Sequence, residues 1–166
     1  MAFEAENYKI VTEQEEKLQF TSFNSEDAWN LGNIVIKKAL EHNDPILCEI
    51  WINHYLVFRY GCKGSCEFNS KWVRRKINTV NMMEKSSLQV HLLPFVGGDD
   101  IFSELQHFDS SEYANIGGGF PLRIRGTGVA GAIAVSGLPH EKDHQLIVDC
   151  MSEFLGLTDI KHVIEG

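Results

Sequence analysis

The stretch Gly117-Gly118-Gly119-Phe120-Pro121-Leu122-Arg123-Ile124-Arg125-Gly126-Thr127-Gly128-Val129-Ala130-Gly131-Ala132-Ile133-Ala134-Val135-Ser136-Gly137-Leu138-Pro139 decides the architecture. Its three leading glycines permit backbone dihedrals closed to other residues and open directly into Phe-Pro. Two strand-forming runs follow, Phe120 to Arg125 and Val129 to Val135, joined as a hairpin by Gly126-Thr127-Gly128. Small residues reduce the second run almost to bare backbone, so another segment is expected to pack very close to it. Beyond Pro139, Leu146, Cys150 and Phe154 form one i, i+4 ladder, and Ile147, Met151 and Leu155 form the next. An amphipathic helix to Leu155 is therefore expected, with Pro139, Glu141 and Asp143 at its start and Gly156 past its end.

Working outward, the order helix, hairpin, helix, hairpin, helix predicts an α/β (α+β) domain with a mainly antiparallel sheet and helices on both faces. Asn24 or Ser25 caps the first helix, whose buried face is Ala28, Leu31, Gly32, Val35, Ile36, Ala39 and Leu40; Asn43-Asp44-Pro45 stops it. Ile46–Ile52 and Tyr55–Tyr60 read as strands around an Asn53-His54 turn, the first apolar on both faces except at Glu49 and hence central. The next helix is expected from Lys71 to about Lys85 with Asn69 or Ser70 as cap. Val73, Ile77 and Val80 trace one of its faces, and Trp72, Lys76 and Thr79 the neighbouring one. Residues 88–116 accept either a helix or an irregular strand, with a one-turn helix at Ser110–Tyr113. Leu18-Gln19-Phe20 suggests a short edge strand. Residues 1–14 read as a flexible acidic N-terminus, and 15–166 as a single domain.

The chain has 166 residues, 43% of them hydrophobic and 23% charged, which suits one soluble globular domain. A formal charge of −8 argues against nucleic acid and against a basic membrane-binding patch. No apolar run reaches the roughly 20 residues of a membrane span. The first residues show neither the basic nor the apolar part of a signal peptide, and the four cysteines read as reduced thiols, so a cytoplasmic location is expected.

Three constellations bear on chemistry. His140-Glu141-Lys142-Asp143-His144 satisfies H-E-x-x-H, in which two histidines hold zinc and the glutamate activates water. Here it falls on a helix start, where the partial positive charge disfavours a cation, and it is read as a helix cap rather than a metal site. Lys71, Arg74, Arg75 and Lys76 cluster beside Trp72; arginines hold carboxylates or phosphates bidentately, and the alternative is a solvated or salt-bridged helix face. Cys62 and Cys66 lie too far apart in sequence for C-x-x-C and have no second pair. No catalytic residue and no metal ligand is assigned. Asp143 is expected to serve the helix start, with His144 bonding across to a neighbouring element.

Gly-Gly-Gly-Phe-Pro, the glycine-rich strand, Val135-Ser136-Gly137-Leu138-Pro139 and Asp143-His144 together resemble the GlcG/HbpS-like haem-degrading domain superfamily, and more narrowly its cytoplasmic uncharacterised branch. Asp27-Ala28, Leu31-Gly32, Trp72-Val73-Arg74-Arg75-Lys76 and Ser86-Ser87 carry the likeness over about residues 15–155. The resemblance implies a profilin-like fold and a homo-oligomer higher than a dimer. It also implies haem or iron binding in some relatives, while no catalytic residue is established for this branch. Three departures stand out. Ile116 stands where many bacterial members are expected to have histidine, His140 where the branch usually has glutamine, and the Cys62–Cys66 loop differs from the usual Pro-Gly-Thr type.

Two functions follow as expectations. One is a non-enzymatic homo-oligomeric protein that meets other proteins, an adaptor in protein targeting or stress handling, with no cofactor expected. The other is binding or degradation of haem or another small anionic ligand, with Trp72, Arg74, Arg75, Lys76, Phe120, Asp143 and His144 as the candidate ligand-binding residues and His144 as an axial ligand. Both place the polar corner where Asp143-His144 meets the Trp72–Lys76 helix at the centre of interest.

Overall fold

The computed structural model describes residues 2–166. Four strands, β1 (Leu47–Ile52), β2 (Tyr55–Gly61), β3 (Gly119–Ile124) and β4 (Gly128–Ser136), form one antiparallel sheet of order β2-β1-β4-β3. β1 is interior, as its two apolar faces require. Asn53 and His54 both take positive φ (49° and 62°), the geometry of a two-residue turn whose twist matches the flanking strands. The bare β4 is explained by β1: a Cβ on Gly131 would run into the carbonyl of Trp51, so only glycine lets the two strands approach there.

Helices α2 (Ser25–Glu41) and α5 (His140–Leu155) cover one face of the sheet. Asn24 starts α2 by accepting from the Glu26 and Asp27 amides at 2.9 and 3.1 Å, and the Asp27 carboxylate returns the bond to the Asn24 N–H at 2.9 Å. Leu31, Val35, Ile50, Phe120, Ile133 and Ile147 meet in the core beneath. The opposite face is covered by α3 (Glu67–Met83), through Val73, Ile77 and Val80 against Leu47, Ala132 and Ala134. Helices on both faces of an antiparallel sheet are thus observed.

Several segments depart from expectation. Within the segment expected as a flexible acidic N-terminus, the chain is helical from Ala2 as α1 (Ala2–Lys17), while Met1 lies outside the described residues. Ile10 and Val11 of α1 pack against Leu88 and Leu92 of α4 (Ser87–Leu92), the helical of the two alternatives for that segment. Ser86 caps α4 by accepting from the Gln89 amide, and both its N–H and its hydroxyl donate to buried Glu15 of α1, at 3.1 and 2.8 Å. α3 begins four residues early. Cys66 sits at its cap position, and Asn69, expected as the cap, instead accepts from the Cys66 N–H at 3.0 Å. Ser110–Glu112 form turns rather than a helical turn, and of Leu18–Phe20 only Phe20 reaches the sheet, in a single bridge to Ile124.

Candidate functional site

Helical spacing puts Lys76 on the inner face of α3 beside Val73, Ile77 and Val80. Its side chain is driven between the sheet and the first turn of α5, where the residue is 1% exposed. Nζ donates to the Val135 carbonyl at 2.8 Å and to Asp143 Oδ2 at 3.1 Å. Asp143, 2% exposed, uses Oδ1 to accept from the Leu138 N–H at 3.0 Å, which fastens the loop before α5 to the helix start. Gly118 makes room: with φ at +121°, a Cβ there would lie 2.5 Å from Lys76 Nζ and 2.6 Å from the Val135 oxygen. Burial pushes the Asp143 carboxyl up to about 6 against the pull of Lys76, and it lowers the Lys76 ammonium against the pull of Asp143. Both shifts run toward neutrality, so the pair locks α3 to α5 at a desolvation cost.

The two histidines of the H-E-x-x-H match are each committed elsewhere. His140 Nδ1 accepts from the Gly117 N–H at 2.9 Å, so its proton is on Nε2, which lies 2.7 Å from Glu141 Oε1. Burial lowers the His140 pKa, while Glu141 works against that. The His140 ring also meets the His91 ring edge-on at 4.9 Å. His144 is 0% exposed, and its Nε2 lies 2.7 Å from Gln14 Oε1 on α1. Gln14 Nε2 donates to the Lys161 carbonyl at 2.7 Å, which leaves Oε1 as the acceptor and fixes the His144 proton on Nε2. Burial drops the His144 pKa to about 3, so the ring is neutral. Its Nδ1 has no hydrogen-bond partner among the described residues, and the ring packs 5.6 Å from that of Phe120. Asp143 at the helix start and His144 reaching across to α1 match the roles the sequence suggested for them.

Above the ion pair, an open cleft of about 390 Å³ lies between α3 and the β4–α5 loop. Phe68, Asn69 and Trp72 form one wall, Gly137, Leu138 and His140 the other, and Ile116 closes one side. Asn69 ties the walls together by donating to Ser136 Oγ at 3.3 Å.

The candidate residues therefore divide. Trp72, Lys76 and Asp143 line this cleft; His144 and Phe120 lie behind it in the core. Arg74 points away and lies 4.5 Å over the Trp51 ring, in a separate groove with Glu49 and Arg59. Arg75 lies 3.9 Å over the Trp72 ring and donates to the Tyr113 carbonyl at 3.3 Å. Glu49, the one polar residue of β1, accepts from Trp51 Nε1 at 2.9 Å and pairs with Arg59, which orients the indole beneath Arg74. Sequence reasoning missed His91, Gln14 and Asn69. His91 meets Asn115, Asn69 meets Ser136 and Gln14 meets His144 across 24 to 130 residues of sequence, and local pattern carries no signal for such pairs.

Residues 23–152 match the family described as haem-degrading protein HbpS-like. The chain belongs to that family. The UPF0303 protein mlr5144 of Mesorhizobium japonicum is 35% identical over 153 residues, covering 92% of this chain and 91% of that one. The crystal structure of the Ybr137w protein superposes with a TM-score of 0.79 at 24% identity, over 90% of this chain and 87% of that one. The PduOC:haem complex superposes with a TM-score of 0.64 at 14% identity, over 86% and 99%. These structures share the fold of this HbpS-like chain.

Haem is the group the family implies. A histidine axial ligand needs a ring-nitrogen lone pair directed at the iron. In the cleft, the His140 Nδ1 lone pair is taken by Gly117 and Nε2–H faces Glu141, Ile116 offers none, and His144 is sealed behind the wall. These residues do not fit haem through histidine–iron ligation.

Proposed function

We propose that this HbpS-like chain is a non-enzymatic, cytoplasmic homo-oligomer that acts as an adaptor between proteins. The observation that carries this reading is the open edge of the sheet. β2 ends the sheet, with no strand beyond it among the described residues, and beside it Tyr55 is 71%, Trp29 64% and Tyr60 46% exposed. Tyr55, Phe58 and Tyr60 share the face covered by α2, and the Trp29 ring meets Phe58 edge-on at 6.2 Å. Large rings beside an uncapped edge strand are a liability unless another chain covers them. A second copy placing its own β2 antiparallel to this one buries the rings of both in a two-fold contact. Such a contact closes a dimer, and an assembly beyond two copies needs a second surface. Two sides of α3 are open to acidic partner segments, one with exposed Phe68 beside Trp72 and the other with the basic Lys71 and Arg74. Tyr55→Lys with Tyr60→Lys tests the reading: the double variant is expected to lose self-association while keeping its fold. An unchanged assembly size would contradict it.

A second reading rests on the cleft over the Lys76–Asp143 pair, together with the haem bound by the PduOC neighbour. A small planar ligand would stack on Trp72 without histidine ligation to iron. Haemin titration tests it. A Soret shift abolished by Trp72→Ala and retained by His144→Gln supports the reading, and the absence of any shift removes it.

A further inference from the structure

Away from the cleft over Lys76, the outer side of α3 borders an open groove of about 590 Å³. Lys71, Arg74, Arg75 and Asn78 of the helix line one wall, and Ser111 and Glu112 of the loop before β3 line the other. Two bonds hold the walls together. Asn78 Nδ2 donates to the Glu112 carbonyl at 2.8 Å, and Arg75 Nε donates to the Tyr113 carbonyl at 3.3 Å. Asp109 braces the loop in turn, its carboxylate accepting from the Ser111 N–H at 2.8 Å and from the Ser111 hydroxyl at 2.7 Å.

Lys71, Arg74 and Arg75 stand at i, i+3 and i+4, so one helical turn gathers three cations. In a chain of formal charge −8, they meet a single carboxylate in the groove lining, that of Glu112. Glu49 and Glu67 lie in the neighbouring groove, where Glu49 is paired with Arg59. A different tryptophan holds each guanidinium: Arg74 lies 4.5 Å over the Trp51 ring, and Arg75 lies 3.9 Å over the Trp72 ring. A stack engages the face of a guanidinium and leaves its N–H edge to bond an acceptor. Lys71 and Arg74 make no hydrogen bond or ion pair among the described residues, and Arg75 uses only Nε. The groove is thus bordered by cationic donors that lack an acceptor.

We infer that this groove binds a phosphorylated side chain of a partner protein. Arginine clusters recognise phosphate through bidentate bonds, and a phosphate monoester brings a charge near −2 and three acceptor oxygens. Three cations within one turn suit one compact dianion better than a run of separate carboxylates. The lining holds no apolar side chain, whereas pockets for free small molecules are lined mainly by apolar groups that bury the body of the ligand. Only a charged head is gripped here, so the rest of the ligand belongs to a larger chain. The inference names the partner chemistry for the basic side of α3, and it rests on the adaptor reading for the partner itself.

NMR titration of the isotopically labelled full-length protein with the pentapeptide Gly-Gly-phosphoserine-Gly-Gly tests it. The indole N–H signals of Trp51 and Trp72 and the Nε–H signals of Arg74 and Arg75 are expected to shift to saturation. The same peptide with glutamate or unmodified serine in the phosphoserine position is expected to bind at least about tenfold more weakly. Arg74→Gln with Arg75→Gln should weaken phosphopeptide binding by at least about tenfold, whereas Arg125→Gln, at an exposed arginine outside the groove, should leave it unchanged. Absence of saturable binding, equal affinity for the phosphoserine and glutamate peptides, or binding that survives the double substitution overturns the inference. Tighter binding of glycerol phosphate than of the phosphopeptide also overturns it, in favour of a site for small esters. If circular dichroism shows that the Arg75 change disturbs the fold, Lys71→Gln with Arg74→Gln takes its place, with the same loss expected and undiminished binding again overturning the inference. Peptide binding is read independently of assembly size, so its failure leaves the β2 contact to be judged by the Tyr55→Lys, Tyr60→Lys variant alone.

Discussion

The corner at the start of α5 and the free edge at β2 invert the usual arrangement in opposite senses. The corner buries Lys76, Asp143 and His144 almost completely, whereas the edge leaves Tyr55 and Trp29 largely in solvent. Buried polar groups and exposed large rings are the informative exceptions in a folded chain. They differ in whether the chain itself accounts for them. Lys76, Asp143, His140 and His144 each bond to another part of the same chain, so the corner is architecture that locks α3, α5 and α1 together. The Tyr55 and Trp29 rings at the edge stay mostly exposed among the described residues. On the proposed reading, the difference puts a partner at the apolar edge rather than at the polar corner that the motif points to.

Breaking the corner should cost the most. Asp143→Ala leaves the Lys76 charge buried without its counter-ion and the Leu138 N–H without its acceptor, a loss of roughly 3–5 kcal/mol by urea denaturation. A loss below about 1 kcal/mol would mean the corner is not a lock. The buried polar network should also respond to pH. Burial raises Glu15 to about 7 from an ordinary 4.5, so the folded state binds more protons than the unfolded one between those values. Stability on that account falls as pH rises from about 4.5 to 7. Relative to Glu15→Gln, the native protein should lose on the order of 3 kcal/mol across this window, measured by denaturation at each pH. Gly118→Ala should cost more than about 1 kcal/mol, because its φ and its closeness to Lys76 Nζ both exclude a side chain. Arg74→Ala, which removes only the stack on Trp51, should cost about 1 kcal/mol in the same denaturation measurement. At the edge, Tyr55→Lys should change monomer stability by less than about 0.5 kcal/mol and alter association instead.

Legibility in the sequence followed the same division. α2, α5 and both hairpins announce themselves, because apolar residues at helical or alternate spacing face a single core. α1 does not. Its inward residues include Asn7, Gln14 and Glu15, whose burial depends on Ile164, His144 and Ser86 far along the chain, so a polar-looking stretch folds inward. The start of α3 was misplaced because Asn69, a good cap residue, acts from inside the first turn on Cys66. In the candidate site, Lys76 shares helical spacing with Val73 and Val80, and that alone separates it from Arg74 and Arg75; reading the four basic residues as one cluster merged two surfaces. The H-E-x-x-H spacing is present, yet each histidine is oriented by a partner outside the motif, Gly117 or Gln14.

The central claim is that the β2 edge is a contact between copies. Light scattering on the native chain and on Tyr55→Lys/Tyr60→Lys, over a range of concentrations, measures it directly. The account predicts a native mass of at least twice 18.8 kDa and a clearly smaller species for the variant. A native chain that stays at 18.8 kDa throughout, or a variant with the native mass, would contradict it.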